Sequence, residues 1–134
     1  RAKAKAIPAA MPASVIGTGP EGLGVEFQGG TRMTIPVDSQ SAKAGDRVEV
    51  GVRPESLSIG QGLTMRLRVL ERLGGSAIAY GQMEDGLKLC AALDGNTTVH
   101  EGEAVHLGFA AADAHVFDAQ GRVMRRLQAP ALAA

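Results

Sequence analysis

The sequence has no tryptophan, a single cysteine and, with three phenylalanines and one tyrosine, few aromatic rings. The lone thiol, Cys90, permits no internal disulfide, and between Leu89 and Ala91 it reads as a small buried hydrophobe. Charge of one sign is lacking too. Fourteen Lys and Arg balance 14 Asp and Glu, which removes the broad positive field that draws in nucleic acid or anionic lipid. With so few rings, stacking platforms for single-stranded nucleic acid are also missing. No apolar run approaches the roughly 20 residues that span a bilayer. Pro8 and Pro12 break up the apolar residues of the opening segment, so no signal-peptide hydrophobic region forms. These features fit a cytosolic setting.

Catalytic patterns are absent as well. No Gly-x-x-x-x-Gly-Lys-Ser/Thr loop occurs, and Gly17, Gly19, Gly22 and Gly24 sit among turn-like residues with no helix signal behind them, so they build no phosphate cradle. No serine lies in a Gly-x-Ser-x-Gly elbow, and Cys90 has no evident histidine partner. His100, His106 and His115 lie near acidic residues, but same-face strand positions that far apart do not converge on one metal ion. A solvated loop is the simpler reading. No catalytic residue, metal or cofactor site is assigned, and ATP hydrolysis is not expected of this chain.

What is present is glycine, at 18 residues in 134, and alternation. The length suits one domain with one core and is too short to hold a full nucleotide-binding domain beside it. Leu23, Val25 and Phe27 alternate up to Gly29-Gly30, and Met33 and Ile35 alternate beyond it, which is a hairpin pattern. Val48, Val50 and Val52 mark a strand with one buried face over 47–53. Residues 64–73 suit a strand or a helical face, and the strand is preferred because Gly62 and Gly74-Gly75 bracket it closely. Arg66, Arg68 and Arg72 then form a row on one face, either a solubilising edge or an anion stripe. Further strands are expected at 77–83, 87–93, 104–109, 115–117 and 122–127. Alanine and proline without a usable period make 1–13 a linker and 128–134 a tail. The first residue, Arg1, is not an initiator methionine, which reads as excision from something longer.

An internal repeat organises the rest. Gly45-Asp46-Arg47-Val48-Glu49-Val50-Gly51-Val52 matches Gly102-Glu103-Ala104-Val105-His106-Leu107-Gly108-Phe109 as Gly, acid, any, Val, any, aliphatic, Gly, apolar. The lead-ins differ by one residue, from Gly30 to Gly45 in one copy and from Gly86 to Gly102 in the other. The expected fold is therefore all-β, as small barrels of an oligonucleotide-binding-like or molybdate-binding-protein-like kind built from two related units, about 14–60 and 64–127. In the first unit's loop, Ser39, Ser41 and Lys43 are placed to receive an oxyanion, which keeps a small oxyanion-binding barrel as the alternative function.

Three ordered segments narrow the reading: Gly51-Val52-Arg53-Pro54-Glu55-Ser56-Leu57, then Val69-Leu70-Glu71-Arg72-Leu73-Gly74-Gly75, then His115-Val116-Phe117-Asp118-Ala119-Gln120-Gly121-Arg122. Together they resemble the C-terminal regulatory domain, a transport-associated oligonucleotide-binding-like (TOBE) fold, of ABC-importer ATPases of the maltose and glycerol-phosphate class. The likeness runs from about Ala13 to Arg126. It implies a non-catalytic regulatory and dimerisation domain, with ATP and magnesium bound by a separate ATPase domain. It also implies partners: that ATPase domain, a second copy of the subunit, and membrane permease subunits reached through the parent chain at the cytoplasmic face of the inner membrane. The partner or regulatory positions carried over are Arg53, Glu55, Leu73, Gly74, His115, Phe117 and Asp118. Arg53 and Glu55 read first as an ion pair around Pro54, Phe117 as core, and Asp118 with Gly121 as a turn.

Overall fold

The computed structural model describes residues 9–39, 41–84 and 86–127. Among these described residues nine strands appear in order: β1 (Ala9–Gly19), β2 (Gly22–Phe27), β3 (Arg32–Ile35), β4 (Arg47–Val52), β5 (Ser58–Arg72), β6 (Ser76–Gln82), β7 (Lys88–Asp94), β8 (Ala104–Gly108) and β9 (His115–Phe117). Short 3-10 turns at Pro54–Ser56 and Ala111–Asp113 follow β4 and β8. One sheet has the order β3-β2-β1-β4-β9 and the other β7-β6-β5-β8. Without β9, the second order is the first with each strand number raised by four. The repeat read from the sequence is thus a repeat of topology.

The match extends to single hydrogen bonds. The amide of Val15 donates to Asp46 and its carbonyl accepts from Gly45, while Leu67 makes the same pair of bonds with Glu103 and Gly102. The register of β1 on β2 shifts between Val15 and Gly17, and that of β5 on β6 shifts between Leu67 and Val69. Such a bulge twists the strand and helps curl a sheet over its own core. Gly45 and Gly102, at φ +97° and +89°, turn the chain into β4 and β8 through a backbone region that other residues adopt only with strain.

One core joins the halves. Val15, Val48 and Val50 of the first half and Leu67, Val105 and Leu107 of the second are all buried in it. Strand alternation explains the selection: in β4 the pattern buries Val48, Val50 and Val52 and exposes Arg47 and Glu49. Burying a Val or Leu side chain is worth about 1.5–3 kcal/mol, so these paired positions hold each half closed and tie it to the other.

The halves also exchange strands. After the Pro54–Ser56 turn, Ser58 and Ile59 cross to pair with Gly108 and Leu107 of the second half. After Ala111–Asp113, His115, Val116 and Phe117 cross back to pair with Gly51, Val50 and Glu49 of the first. Beyond Ile59, β5 doubles around β8, so that Leu107 has both Ile59 and Leu63 opposite it. Gly62 permits the wrap, since a Cβ there would lie 2.5 Å from the carbonyl oxygen of Leu107.

Several expectations are corrected. The linker expected over 1–13 gives way to strand at Ala9, where Met11 and Ala13 are buried; residues 1–8 lie outside the described part, as does the tail 128–134. Alanine, proline and serine concealed that strand's alternation. Gly17 and Gly19 lie in β1 and Gly22 and Gly24 in β2 rather than in turns. The units expected to part between 60 and 64 share β5 without a break. Residues 122–127 form no regular strand, but two isolated bridges, Phe117 to Val123 and Val37 to Arg126. Cys90 is half-buried, because alternation in β7 gives the buried face to Leu89, Ala91 and Leu93.

Candidate functional site

Two of the three segments meet in one sheet. The β4–β9 register places Gly51 opposite His115, Val50 opposite Val116 and Glu49 opposite Phe117, so the strand entering Arg53-Pro54-Glu55 lies beside the strand entering Asp118. Arg53 is exposed and extended, Pro54 is buried, and Glu55 is exposed at the centre of the 3-10 turn. The expected Arg53–Glu55 ion pair does not form among the described residues. In a helix of three residues per turn, positions i and i+2 diverge by a third of a turn. The pairs that do form are Arg32 with Glu26, Arg122 with Asp118 and Arg125 with Asp38.

The third segment is a turn followed by a clasp. The Asp118 carboxylate accepts the amides of Gln120 and Arg122, each at 2.9 Å, and Gly121 takes φ +83°. Reversed there, the chain runs back along β9 and on to the end of β3. Met124 donates to Val116 at 2.7 Å, Asp38 to Arg125 at 2.7 Å, and Leu127 to Pro36 at 2.9 Å. Arg126 donates to the carbonyls of Ala112 and Ala114 and lies 3.3 Å from Nδ1 of His115. His115 therefore belongs to the clasp. Phe117 is half-buried rather than core, because Val116 takes the buried position of this three-residue strand. Sequence reasoning missed Arg126, and an arginine pair between Met124 and Leu127 after a turn was the signal for it.

The second segment forms the β5–β6 hairpin in the other sheet. The amide of Leu73 donates to Ser76 across the turn, and Gly74 has φ +86°. Leu73 is 55% exposed, as are the cross-strand neighbours Val69 at 51% and Tyr80 at 41%. Desolvation, then the nearby Glu71 carboxylate, to which its hydroxyl donates at 3.3 Å, raises the Tyr80 pKa. Burial raises that of the Cys90 thiol, opposite Tyr80 across β6 and β7. The arginine row is engaged with the protein itself. Arg66 donates to Gly102, Arg68 to Gln82, and Arg72 to Gly95 and Thr97.

The remaining sequence candidates find local partners. His106 Nδ1 and Thr64 Oγ1 lie 3.2 Å apart, and the His100 amide donates to Glu103. Among the described residues, no three His, Cys, Asp or Glu side chains gather as a metal site. In the Ser39–Lys43 loop the Asp46 carboxylate takes the Lys43 amide at 2.9 Å, so that donor is already engaged by the chain's own carboxylate. No helix among the described residues is long and apolar enough to cross a membrane.

Comparison with known proteins agrees with this geometry. A family model described as the TOBE domain matches residues 50–117, from within β4 to the end of β9. A second, for the SecD/SecF GG motif, matches only residues 22–41, around the β2–β3 hairpin. The chain is similar to the maltose/maltodextrin import ATP-binding protein MalK of Aliivibrio fischeri, 31% identical over 108 residues, covering 77% of this chain and 29% of MalK. It is also similar to the sn-glycerol-3-phosphate import ATP-binding protein UgpC of Cereibacter sphaeroides, 33% identical over 104 residues, covering 74% of this chain and 28% of UgpC. The chain thus spans under a third of the length of these relatives. Among solved structures, the cytoplasmic molybdate-binding protein ModG with molybdate bound superposes with a TM-score of 0.67 at 12% identity, covering 80% of this chain and 93% of that one, which shows a shared all-β barrel fold. By the family model that spans half its length, and with the repeat, the exchanged strands and the motif turns in place, this chain belongs to the TOBE domain family.

Proposed function

We propose that this chain is the non-catalytic regulatory and dimerisation domain of the ATP-binding subunit of an ABC importer for a sugar, polyol or glycerol phosphate. The observation that carries the reading is the TOBE match together with similarity to two import ATP-binding proteins, each over about three-quarters of the chain. ATP and magnesium belong to a separate domain of the parent chain. The role of this domain is mechanical: two copies held together keep their ATPase domains at high effective concentration, so that these open and close without separating. Through the parent complex it sits at the cytoplasmic face of the inner membrane, near permease subunits. Arg53 and Glu55, exposed and without a mutual ion pair, and Leu73 at the hairpin tip are available for partner contacts.

The test has two parts. The purified chain hydrolyses no ATP above buffer, and sedimentation equilibrium detects a dimer. Hydrolysis that survives further purification overturns the reading, and a monomer at millimolar concentration removes the dimerisation role. The alternative, an oxyanion-binding barrel, predicts heat on titration with molybdate, tungstate, sulfate or phosphate. None is expected, because the Asp46 carboxylate already holds the Lys43 amide.

A further inference from the structure

We infer that the groove between the Pro54–Ser56 turn and the end of β7 is a docking site for an extended segment of a different polypeptide, apolar in character and bearing arginine. The inference stands on the internal repeat and is independent of the ATPase-tethering role.

The groove measures about 590 Å³ and runs between Glu55, Leu57 and Ile59 on one side and Ala92, Leu93 and Asp94 on the other. Its counterpart in the first half can be found residue by residue, because the turns Pro54–Ser56 and Ala111–Asp113, the crossing strands after them and the outer strands β3 and β7 are equivalent. That counterpart is filled by the chain itself. The segment 123–127 lies in it, with Arg126 forming an isolated bridge to Val37, the equivalent of Leu93. Arg126 reaches the carbonyls of Ala112 and Ala114, which correspond to Glu55 and Leu57. Met124 bonds to Val116, the equivalent of Ile59, and Leu127 to Pro36, the equivalent of Ala92. Arg125 pairs with Asp38, the equivalent of Asp94. Each first-half residue that receives the segment in these contacts thus has its equivalent lining the open groove.

The consequence is visible in burial. Val116, hydrogen-bonded to the segment and part of the core, is 0% exposed, whereas Ile59 in the open groove is 50% exposed. The hydroxyl of Thr97, in the same lining, is buried without a hydrogen-bond partner.

Connectivity explains why, among the described residues, the second half lacks its own filler. After Val116 and Phe117 the chain is free to turn at Asp118 and fold back, but after Ile59 it must continue as β5 to build the second sheet. Among the described residues no segment is left to fill it, so the occupant we infer is supplied by another polypeptide. Its chemistry follows from the lining. An extended backbone suits the edge of β7, an apolar side chain covers Ile59, and arginine faces Glu55 and Asp94, one carboxylate more than the Ala112 and Asp38 of the filled groove.

The probe is an end-blocked peptide with the sequence of residues 121–127, Gly-Arg-Val-Met-Arg-Arg-Leu, titrated into the isotope-labelled chain and followed by amide NMR. Saturable shifts are expected at Ile59, Ala92, Asp94 and Thr97, with Val37 and Val116 unmoved. Ile59→Ala weakens binding about fivefold through lost apolar contact, and Glu55→Gln about threefold through a partly solvated ion pair. Both positions are solvent-facing, and thermal melting checks that the variants stay folded. A peptide with glutamate in place of each arginine does not bind. The proposal is overturned by no shifts at millimolar peptide, by shifts at Val37 and Val116 showing exchange with the resident segment, or by variants that bind as tightly as the parent. Concentration-dependent shifts at Ile59 and Asp94 without peptide also overturn it, since a second copy would then be the occupant.

Discussion

The two halves share a backbone plan and differ on their surfaces. At the position where Gly17 faces Gly24 in the first half, Val69 faces Tyr80 in the second. The side chain of Ile16 lies beside Gly24, with its Cγ1 3.2 Å from where a Cβ on that glycine would stand. Inside, Val15 and Leu67, Val48 and Val105, and Val50 and Leu107 stay aliphatic. The difference shows where a duplicated strand unit is constrained. The inward face must fill one continuous core at crystal-like density, while the outward face is held by no such requirement.

The comparison breaks most severely at the core. Leu107→Ala should cost about 3 kcal/mol and Val50→Ala, its equivalent in the first half, about 2 kcal/mol, because a smaller side chain is truncated and a smaller cavity is left. Urea unfolding measures both, and a single transition is expected in each case since the halves share one core. A two-step transition would show that they fold separately. Next comes the clasp. Arg126→Ala leaves the carbonyls of Ala112 and Ala114 without their guanidinium donor and should cost about 1–2 kcal/mol. Amide exchange would quicken at Met124 and Leu127 and stay unchanged at Gly102 and Leu67 in the second half.

Smaller effects sharpen the surface contrast. Tyr80→Ala removes the cross-strand pair with Val69 and should cost about 0.5 kcal/mol. If the loss in a thermal melt exceeds about 2 kcal/mol, the ring is more than a surface neighbour. The mildest test is alkaline. The Cys90 pKa is raised above its ordinary 9.0 in the folded protein, so the native state binds that proton more tightly than the unfolded chain. Its contribution to stability is complete below about pH 9 and is lost as the pH climbs through the raised value. The denaturation midpoint should therefore fall as the pH rises above 9.0, and Cys90→Ala should flatten that part of the fall.

Much of this was legible in the sequence. The alternation at Val48, Val50 and Val52 located β4, the Gly29-Gly30 pair located the β2–β3 hairpin, and the matched octapeptides at 45–52 and 102–109 revealed the duplication. Each is a local pattern enforced by strand geometry. The motif turn at Asp118 was legible for the same reason, since a carboxylate capping amides two and four residues ahead involves neighbours alone. β1 was less visible, because Ala, Pro, Ser and Gly carry little strand preference of their own. Its formation rests on pairing with β2 and β4, which lie on either side of it.

The sequence by itself determined an all-β chain made of two similar strand units, because period-two patterning and glycine turns act over a few residues. Only the tertiary structure decided that the units exchange β9 for the first limb of β5, that Arg126 clasps the Ala111–Asp113 turn, and that among the described residues one groove is filled while its twin stands open. These outcomes depend on contacts between residues far apart in the chain, where connectivity decides which segment is free to fold back.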